Sequence, residues 1–143
     1  MGLEELLPKA IKLFPNREAV VCGSTRLTYA EFGHRVWRLS HALQSLGLVR
    51  GDRLAILHEN CHVFLESYLA ASHLGLILVP LNFRLSSKEL AMILRDSGSR
   101  MLLAQGKFRK SVEALRPLVK MERIFWTQPG SESPIPGHDL YED

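Results

Sequence analysis

The sequence predicts an α/β fold: a mostly parallel sheet with helices on both faces, preceded by a short β-hairpin. Three observations predict it. After residue 28, apolar runs alternate with amphipathic segments in the order α-β-α-β-α-β-α-β, the pattern of a parallel sheet with crossover helices. Two of the runs, Arg53–Leu57 and Ile77–Leu81, are apolar at successive positions, which marks strands buried on both faces. The chain has 143 residues, 46% of them hydrophobic and 23% charged, so it can build a core and is too apolar for disorder. Crossovers in such a sheet are right-handed, and no internal repeat is visible.

Each element has a local cause. Leu3, Leu6, Leu7, Ala10, Ile11 and Phe14 form one stripe of a helix over 3–14, which Pro15-Asn16 ends. Glu18–Cys22 reads as a strand, Gly23-Ser24 as its turn and Arg26–Thr28 as its partner. Thr28 and Glu31 form a T-x-x-E capping box. Behind it Tyr29, Phe32, Val36, Leu39, Leu43 and Leu46 share a face, and Gly47 stands where a left-handed cap belongs. Gly51-Asp52 turns the chain into the strand Arg53–Leu57. Residues 62–75, with Asn60 as N-cap, form a helix apolar nearly all round, and burial is expected of it. After Ile77–Leu81, residues 82–85 are a loop. Ser86 and Glu89 then make a second capping box, for a helix that stops at Gly98. Met101–Ala104 is a strand, 108–119 a helix that Pro117 should cut short, and Ile124–Trp126 the last strand. From Gln128 onward the chain is rich in Pro, Gly and Ser and reads as a linker.

Composition removes several function classes. No run of 18 apolar residues exists; the densest stretch, Val63–Leu81, is broken by Glu66, His73 and Pro80, so no membrane span is expected. The first residues carry two acids and no long apolar core, unlike a secretory signal. Met1-Gly2 suggests myristoylation, but Leu6 stands where Ser or Thr is wanted. Two cysteines, Cys22 and Cys61, are too few for a disulfide scaffold and read as free thiols in a reducing, cytoplasmic setting. The net charge is +3; the last basic residue is Arg123, and Glu132, Asp139, Glu142 and Asp143 follow it. The basic body is read as a solvated surface. No basic run is interleaved with aromatics, so no nucleic-acid partner is expected.

The residues that could carry chemistry are few. His58-Glu59-Asn60-Cys61-His62 matches H-E-x-x-H, which binds zinc when both histidines share one helical face. Here the motif straddles the end of a strand and the start of a helix. His58 and His62 are therefore read as ordinary loop residues, and no metal site is assigned. His34 and His41, with Arg38, lie on the solvated flank of their helix; His73 is expected buried and hydrogen-bonded. Neither phosphate-binding glycine motif, G-x-x-x-x-G-K-[ST] or G-x-G-x-x-G, occurs. The basic stretch Gly106–Ser111 could meet an anion but reads more simply as a solvated helix start.

A resemblance adds what the residues alone do not give. Leu27-Thr28-Tyr29-Ala30-Glu31-Phe32, then Arg35-Val36, Leu39, Ala42-Leu43, Leu46-Gly47-Leu48 and Gly51-Asp52-Arg53-Leu54-Ala55-Ile56-Leu57, followed by Asn60, Ala70-Ala71, Leu74-Gly75, Val79-Pro80-Leu81-Asn82-Phe83-Arg84-Leu85, Glu89-Leu90, Ile93-Leu94 and Asp96-Ser97-Gly98, resembles the opening of the adenylate-forming, AMP-binding enzymes. The resemblance runs over residues 10–105. Pro80-Leu81-Asn82-Phe83-Arg84-Leu85 looks like the fatty-acid and aryl CoA ligase branch, the AMP-forming acyl-CoA synthetases, rather than the peptide-synthetase branch.

The resemblance implies a two-step ligase reaction. A carboxylic acid, here a fatty acid, attacks the α-phosphate of ATP in the presence of Mg2+, and the thiol of coenzyme A then displaces AMP. The family's lysine-bearing Ser/Thr/Gly-rich loop, its Y-G-x-T-E segment, its ribose-holding aspartate and its C-terminal lysine have no match here, so no catalytic residue is assigned. On this reading residues 1–127 are an N-terminal α/β sub-domain of a larger adenylate-forming domain. Residues 128–143 are an acidic linker whose last six, from His138 to Asp143, resemble the lead-in to the absent ATP loop. The chain is expected to be inactive alone and to self-associate through a truncated sheet edge. One site residue carries over: Arg84, at the arginine that in some CoA ligases approaches the nucleotide phosphates of coenzyme A. The plainer alternative pairs Arg84 with a neighbouring carboxylate. A reading of another class makes the chain a short non-catalytic binding or scaffold protein that retains part of the fold.

Overall fold

A computed structural model describes residues 2–127 and 139–140. In chain order the elements are α1 (Leu3–Leu13), β1 (Glu18–Cys22), β2 (Thr25–Thr28), α2 (Tyr29–Ser45), β3 (Arg53–Leu57), α3 (His62–Leu74), β4 (Ile77–Pro80), α4 (Ser87–Ser97), β5 (Met101–Gln105), α5 (Arg109–Leu115), β6 (Arg123–Thr127) and β7 (Asp139–Leu140). The class is the predicted α/β, with a parallel sheet and a small antiparallel hairpin. The chain divides into two compact units, Met1–Gly51 with Asn60–Ile77, and Asp52–Glu59 with Leu78–Asp143.

The first unit holds the hairpin β1–β2 and the helices α1, α2 and α3. Val20, Val21 and Cys22 pair with Leu27, Arg26 and Thr25. Helix α2 starts where the capping box says it should. Thr28 Oγ1 accepts from Glu31 N at 3.2 Å, and the Glu31 carboxylate accepts from Thr28 N at 2.8 Å. That hydrogen bond to the backbone holds the Glu31 carboxyl below its ordinary range. The helix buries Phe32, Gly33, Val36, Ser40 and Leu43, and Gly47 follows it at φ 86°. Gly33 marks a close approach: a Cβ there would lie 2.4 Å from Ile11 Cδ1 of α1.

Helix α3 departs from expectation. It is not buried all round: Leu65, Tyr68 and His73 are exposed, while His62, Val63, Glu66, Ser67, Ala70 and Ala71 face inward. An evenly apolar helix gives no stripe from which to choose a face. The buried face here carries small side chains and, at Glu66 and Ser67, polar groups that have partners. Ser67 Oγ donates to Val63 O at 2.8 Å, and the fully buried Glu66 pairs with Arg35 at 2.6 Å. His73, expected buried, lies on the exposed side. The N-cap is Cys61 rather than Asn60, and its side chain makes no capping bond.

The second unit is built on a sheet of order β4-β3-β5-β6-β7, with the pairs β3–β5, β5–β6 and β6–β7 parallel. Register aligns Ala55 with Leu102 and Leu102 with Ile124, then Leu57 with Ala104 and Ala104 with Trp126. These six side chains make one face. With Leu90, Ala91 and Leu94 of α4 and Val112 and Leu115 of α5 they form the core. Leu54, Ile56, Met101 and Leu103 on the opposite face are buried as well, so β3 and β5 are the doubly buried strands the sequence implies. Strand β4 is not. It lies at one end of the sheet order, with Ile77 and Pro80 exposed, where a strand has a neighbour on one side only. Helix α4 has the second capping box, with Glu89 N donating to Ser86 Oγ and Ser86 N to the Glu89 carboxylate, and it stops at Gly98, φ 63°. Helix α5 is shorter than the expected 108–119. A single 3-10 turn, Gly106–Phe108, precedes it, and it ends before Pro117. Asp139–Leu140 adds a short strand from within the segment read as linker. Residues 128–138 and 141–143, His138 included, lie outside the described residues.

At the amino ends of the strands the chain is clamped by charge. Arg100, before β5, forks onto Glu122, before β6, with both bonds at 2.9 Å, and reaches Asp52, before β3, at 2.6 Å. Those bonds push the Arg100 guanidinium up and hold the Glu122 carboxyl down. Arg53 at the start of β3 donates to Ser97 O at 2.7 Å and Gly98 O at 3.2 Å, which satisfies carbonyls at the end of α4.

Candidate functional site

In open parallel sheets the crevice outside the carboxyl ends of the strands is where ligands bind, because the loops there converge from several strands. In the second unit these ends carry His58 and Glu59 after β3, residues 82–85 after β4, Gln105 and Lys107 at and after β5, and Thr127 at the end of β6. His58 follows four buried apolar residues and is itself buried, 2% exposed. Its Nδ1 lies 2.8 Å from Glu59 O, and its Nε2 lies 2.6 Å from Thr127 Oγ1. A carbonyl only accepts, so Nδ1 carries the proton in that bond, and Nε2 is hydrogen-bonded to the threonine hydroxyl. Both nitrogens are thus committed to positioning the loop. Glu59 N donates to Gln105 Oε1 at 3.1 Å, tying β3's loop to β5. Lys107 Nζ pairs with the Glu59 carboxylate, and that hydrogen bond is the main reason the carboxyl sits below its ordinary range.

Arg84 stands on the neighbouring loop. Asn82 Oδ1 accepts from Arg84 N at 3.0 Å and Asn82 O from Leu85 N at 3.0 Å, a turn closed by its own asparagine. Phe83 stacks on Phe108, with ring centroids 5.2 Å apart, and so holds this loop beside the turn that carries Lys107. The Arg84 side chain is exposed, and among the described residues it meets no carboxylate, so the pairing alternative finds no support there. Two cations of the neighbouring basic stretch are engaged, Lys107 by Glu59 and Arg109 by Glu113 at 2.8 Å. The basic stretch Gly106–Ser111 is therefore partly neutralised, as a solvated helix start would be. What the arrangement offers chemically is an exposed guanidinium on a braced loop, suited to a phosphate.

The histidines of H-E-x-x-H fall where the sequence puts them, one after β3 and one as the first residue of α3. They are not ordinary loop residues, however; both are buried. The commitment of both His58 nitrogens argues against its use as a zinc ligand. His34, Arg38 and His41 are exposed on α2, as expected. A grouping in the first unit escaped sequence reasoning altogether. The Cys22 and Cys61 sulfurs and a ring nitrogen of His62 lie within 4.8 Å of one another, and neither cysteine is in a disulfide. Burial pushes the Cys61 thiol up. Only the pairing of α3's start with the end of β1 brings these groups together, and no spacing in the sequence announces it.

The comparisons with known proteins agree with one another. The AMP-binding enzyme family matches residues 7–135. Feruloyl-CoA synthase of Amycolatopsis is 40% identical over 114 residues, which is 80% of this chain and 23% of that protein. A long-chain-fatty-acid–CoA ligase of Thermus thermophilus is 35% identical over the whole chain and 27% of its own length. Among solved structures, a fatty acyl CoA synthetase of Mycobacterium tuberculosis superposes with a TM-score of 0.80 at 29% identity, covering 87% of this chain and 26% of that one. The chain spans about a quarter of the length of the curated relatives it matches.

Proposed function

The chain belongs to the AMP-binding enzyme family, and from that premise we propose that it is the N-terminal part of an AMP-forming acyl-CoA synthetase. The whole enzyme joins a carboxylic acid, a fatty acid on this reading, to coenzyme A at the expense of ATP. The carboxylate oxygen attacks the α-phosphorus of ATP and pyrophosphate leaves; the thiol of coenzyme A then attacks the acyl carbon, loses its proton, and AMP leaves. Mg2+ accompanies ATP as the counter-charge to its phosphates. The observation that carries the reading is the family match across residues 7–135, which takes in the Arg84 loop and every described strand from β1 to β6. Residues 1–127 are the N-terminal sub-domain in this proposal, and residues 128–143 lead toward an ATP loop further along. The proposed setting is the cytoplasm, a reading supported by the free thiols of Cys22 and Cys61.

Arg84 is the residue of this chain proposed to touch a substrate, as the cation for a nucleotide phosphate of coenzyme A. Its exposure and its lack of a carboxylate among the described residues suit that role. The test is to isolate the native protein that bears this sequence, weigh it, and assay it with a panel of carboxylates for AMP and acyl-CoA. The expected result is a mass several times 16.2 kDa, turnover with fatty acids, and no ATP–pyrophosphate exchange by the 143-residue chain alone. A native mass near 16.2 kDa without turnover would discard the ligase reading; turnover confined to aromatic acids would discard the fatty-acid part only.

A further inference from the structure

We propose that Cys22, Cys61 and His62 form a binding site for a soft, thiophilic cation of the Zn2+ class, on the first unit and separate from any ligase chemistry. Three features carry it. The donor set is two sulfurs and one imidazole nitrogen, the combination that selects Zn2+ or Cu+ over Mg2+ or Ca2+. The three donor atoms already lie within 4.8 Å of one another. Zinc bonds of about 2.3 Å to sulfur and about 2.0 Å to nitrogen set tetrahedral donor separations near 3.5–3.8 Å, so side-chain rotations of an ångström or less would close the site. The third feature is an unpartnered group. His62 is 8% exposed, and its Nδ1 is buried without a hydrogen bond, a condition that costs free energy in a merely structural histidine.

The backbone fixes each donor. Cys22 ends β1, Cys61 is the N-cap of α3, and His62 opens that helix. Both cysteines are half-buried, so a cation could enter from solvent and keep one coordination position for water. The two-ligand set of the H-E-x-x-H motif is not this site. Only His62 is shared, and the partner donors come from the hairpin and from the residue beside it.

The inference stands apart from the ligase reading and is tested without any activity. The reduced full chain is titrated anaerobically with Co2+ alone, then with Zn2+ in competition. The expected result is one equivalent of Co2+ with thiolate-to-metal charge-transfer absorbance, displaced by Zn2+ and lost in Cys22→Ser, while far-UV circular dichroism shows that variant folded. If Cys22→Ser does not fold, the unmodified chain decides: bound Zn2+ should block alkylation of both Cys22 and Cys61. Absence of the charge-transfer band, its persistence in a folded Cys22→Ser chain, or alkylation at an unchanged rate with Zn2+ present would overturn the proposal.

Discussion

The two ends of the same parallel sheet are furnished differently. At the amino ends the charges close on one another: Arg100 takes both Glu122 oxygens and Asp52, and Arg53 covers the carbonyls at the end of α4. At the carboxyl ends the buried His58 is held by Thr127 and Glu59, but the rim keeps an exposed guanidinium, Arg84, without a carboxylate among the described residues. Cations at the first end are spent on holding strands together. At the second, a cation is held ready by a stacked phenylalanine and a self-closed turn. The difference teaches where to look for chemistry in a sheet whose sequence shows no catalytic motif: the end whose charges are left over.

A cut midway between the ends gives the largest expected effect and the scale for the others. Leu102→Ala removes a fully buried side chain from the middle of β5 and should cost about 3 kcal/mol in denaturant unfolding. A loss below about 1 kcal/mol would mean that the core does not bind the two ends into one sheet. Next comes Thr127→Val, which keeps the shape and deletes the hydroxyl facing His58 Nε2. We expect about 2 kcal/mol of destabilisation; an unchanged midpoint would break the claim that this end is held by its buried network.

Arg84→Ala and Arg100→Ala separate the ends directly. In the whole ligase proposed above, and with Arg84 in its proposed role, Arg84→Ala should raise the KM for coenzyme A about tenfold, leave ATP–pyrophosphate exchange intact, and shift stability by no more than about 0.5 kcal/mol. Arg100→Ala should do the reverse, lowering the unfolding midpoint with the coenzyme A KM unchanged. Equal effects of the two substitutions on stability would erase the contrast.

The smallest expected effect is in pH. The bonds from Arg100 hold the Glu122 carboxyl below its ordinary value, as Lys107 holds that of Glu59. A carboxyl depressed in the folded state contributes stability that is present above its unfolded pKa and lost as pH falls through the folded one. Stability should therefore drop on acidification below the usual carboxylate range. Glu122→Gln and Glu59→Gln should each flatten part of that acid limb and leave the alkaline side alone. An unaltered acid limb in Glu122→Gln would show that the Arg100 clamp is not formed in solution.

What the sequence made legible was local. The capping boxes at Thr28 and Ser86, the stop at Gly98 and the strand Arg53–Leu57 all stand where residue chemistry puts them, because each depends on neighbours within one turn or one strand. What it hid depends on partners far along the chain. Burial of Glu66 required Arg35, and the exposure of Tyr68 and His73 required α3 to choose one face of an evenly apolar helix. The exposure of Ile77 reflects a place at the end of the sheet order, which no strand pattern announces. For the candidate site, Arg84 was legible through resemblance alone. The Thr127 contact of His58 and the Phe83–Phe108 stack were not, since both join loops that follow different strands.

The division of the chain has a consequence for the order in which it can be made. The second unit takes only residues 52–59 on the chain's first visit, and the first unit is not complete until residue 77. Strand β3 lies within that short visit, and its partner β5 begins at Met101. During synthesis from the amino terminus, this doubly buried strand can pair with β4 on one side, while its other side waits through two further helices and β4 before β5 exists. A chain halted at Gly98 would hold every element of the first unit and still leave Leu54, Ala55, Ile56 and Leu57 without β5, the strand on one of their two sides. In the interval between β3 and β5, a nascent chain has one side of β3 open to chaperones and to its own neighbours.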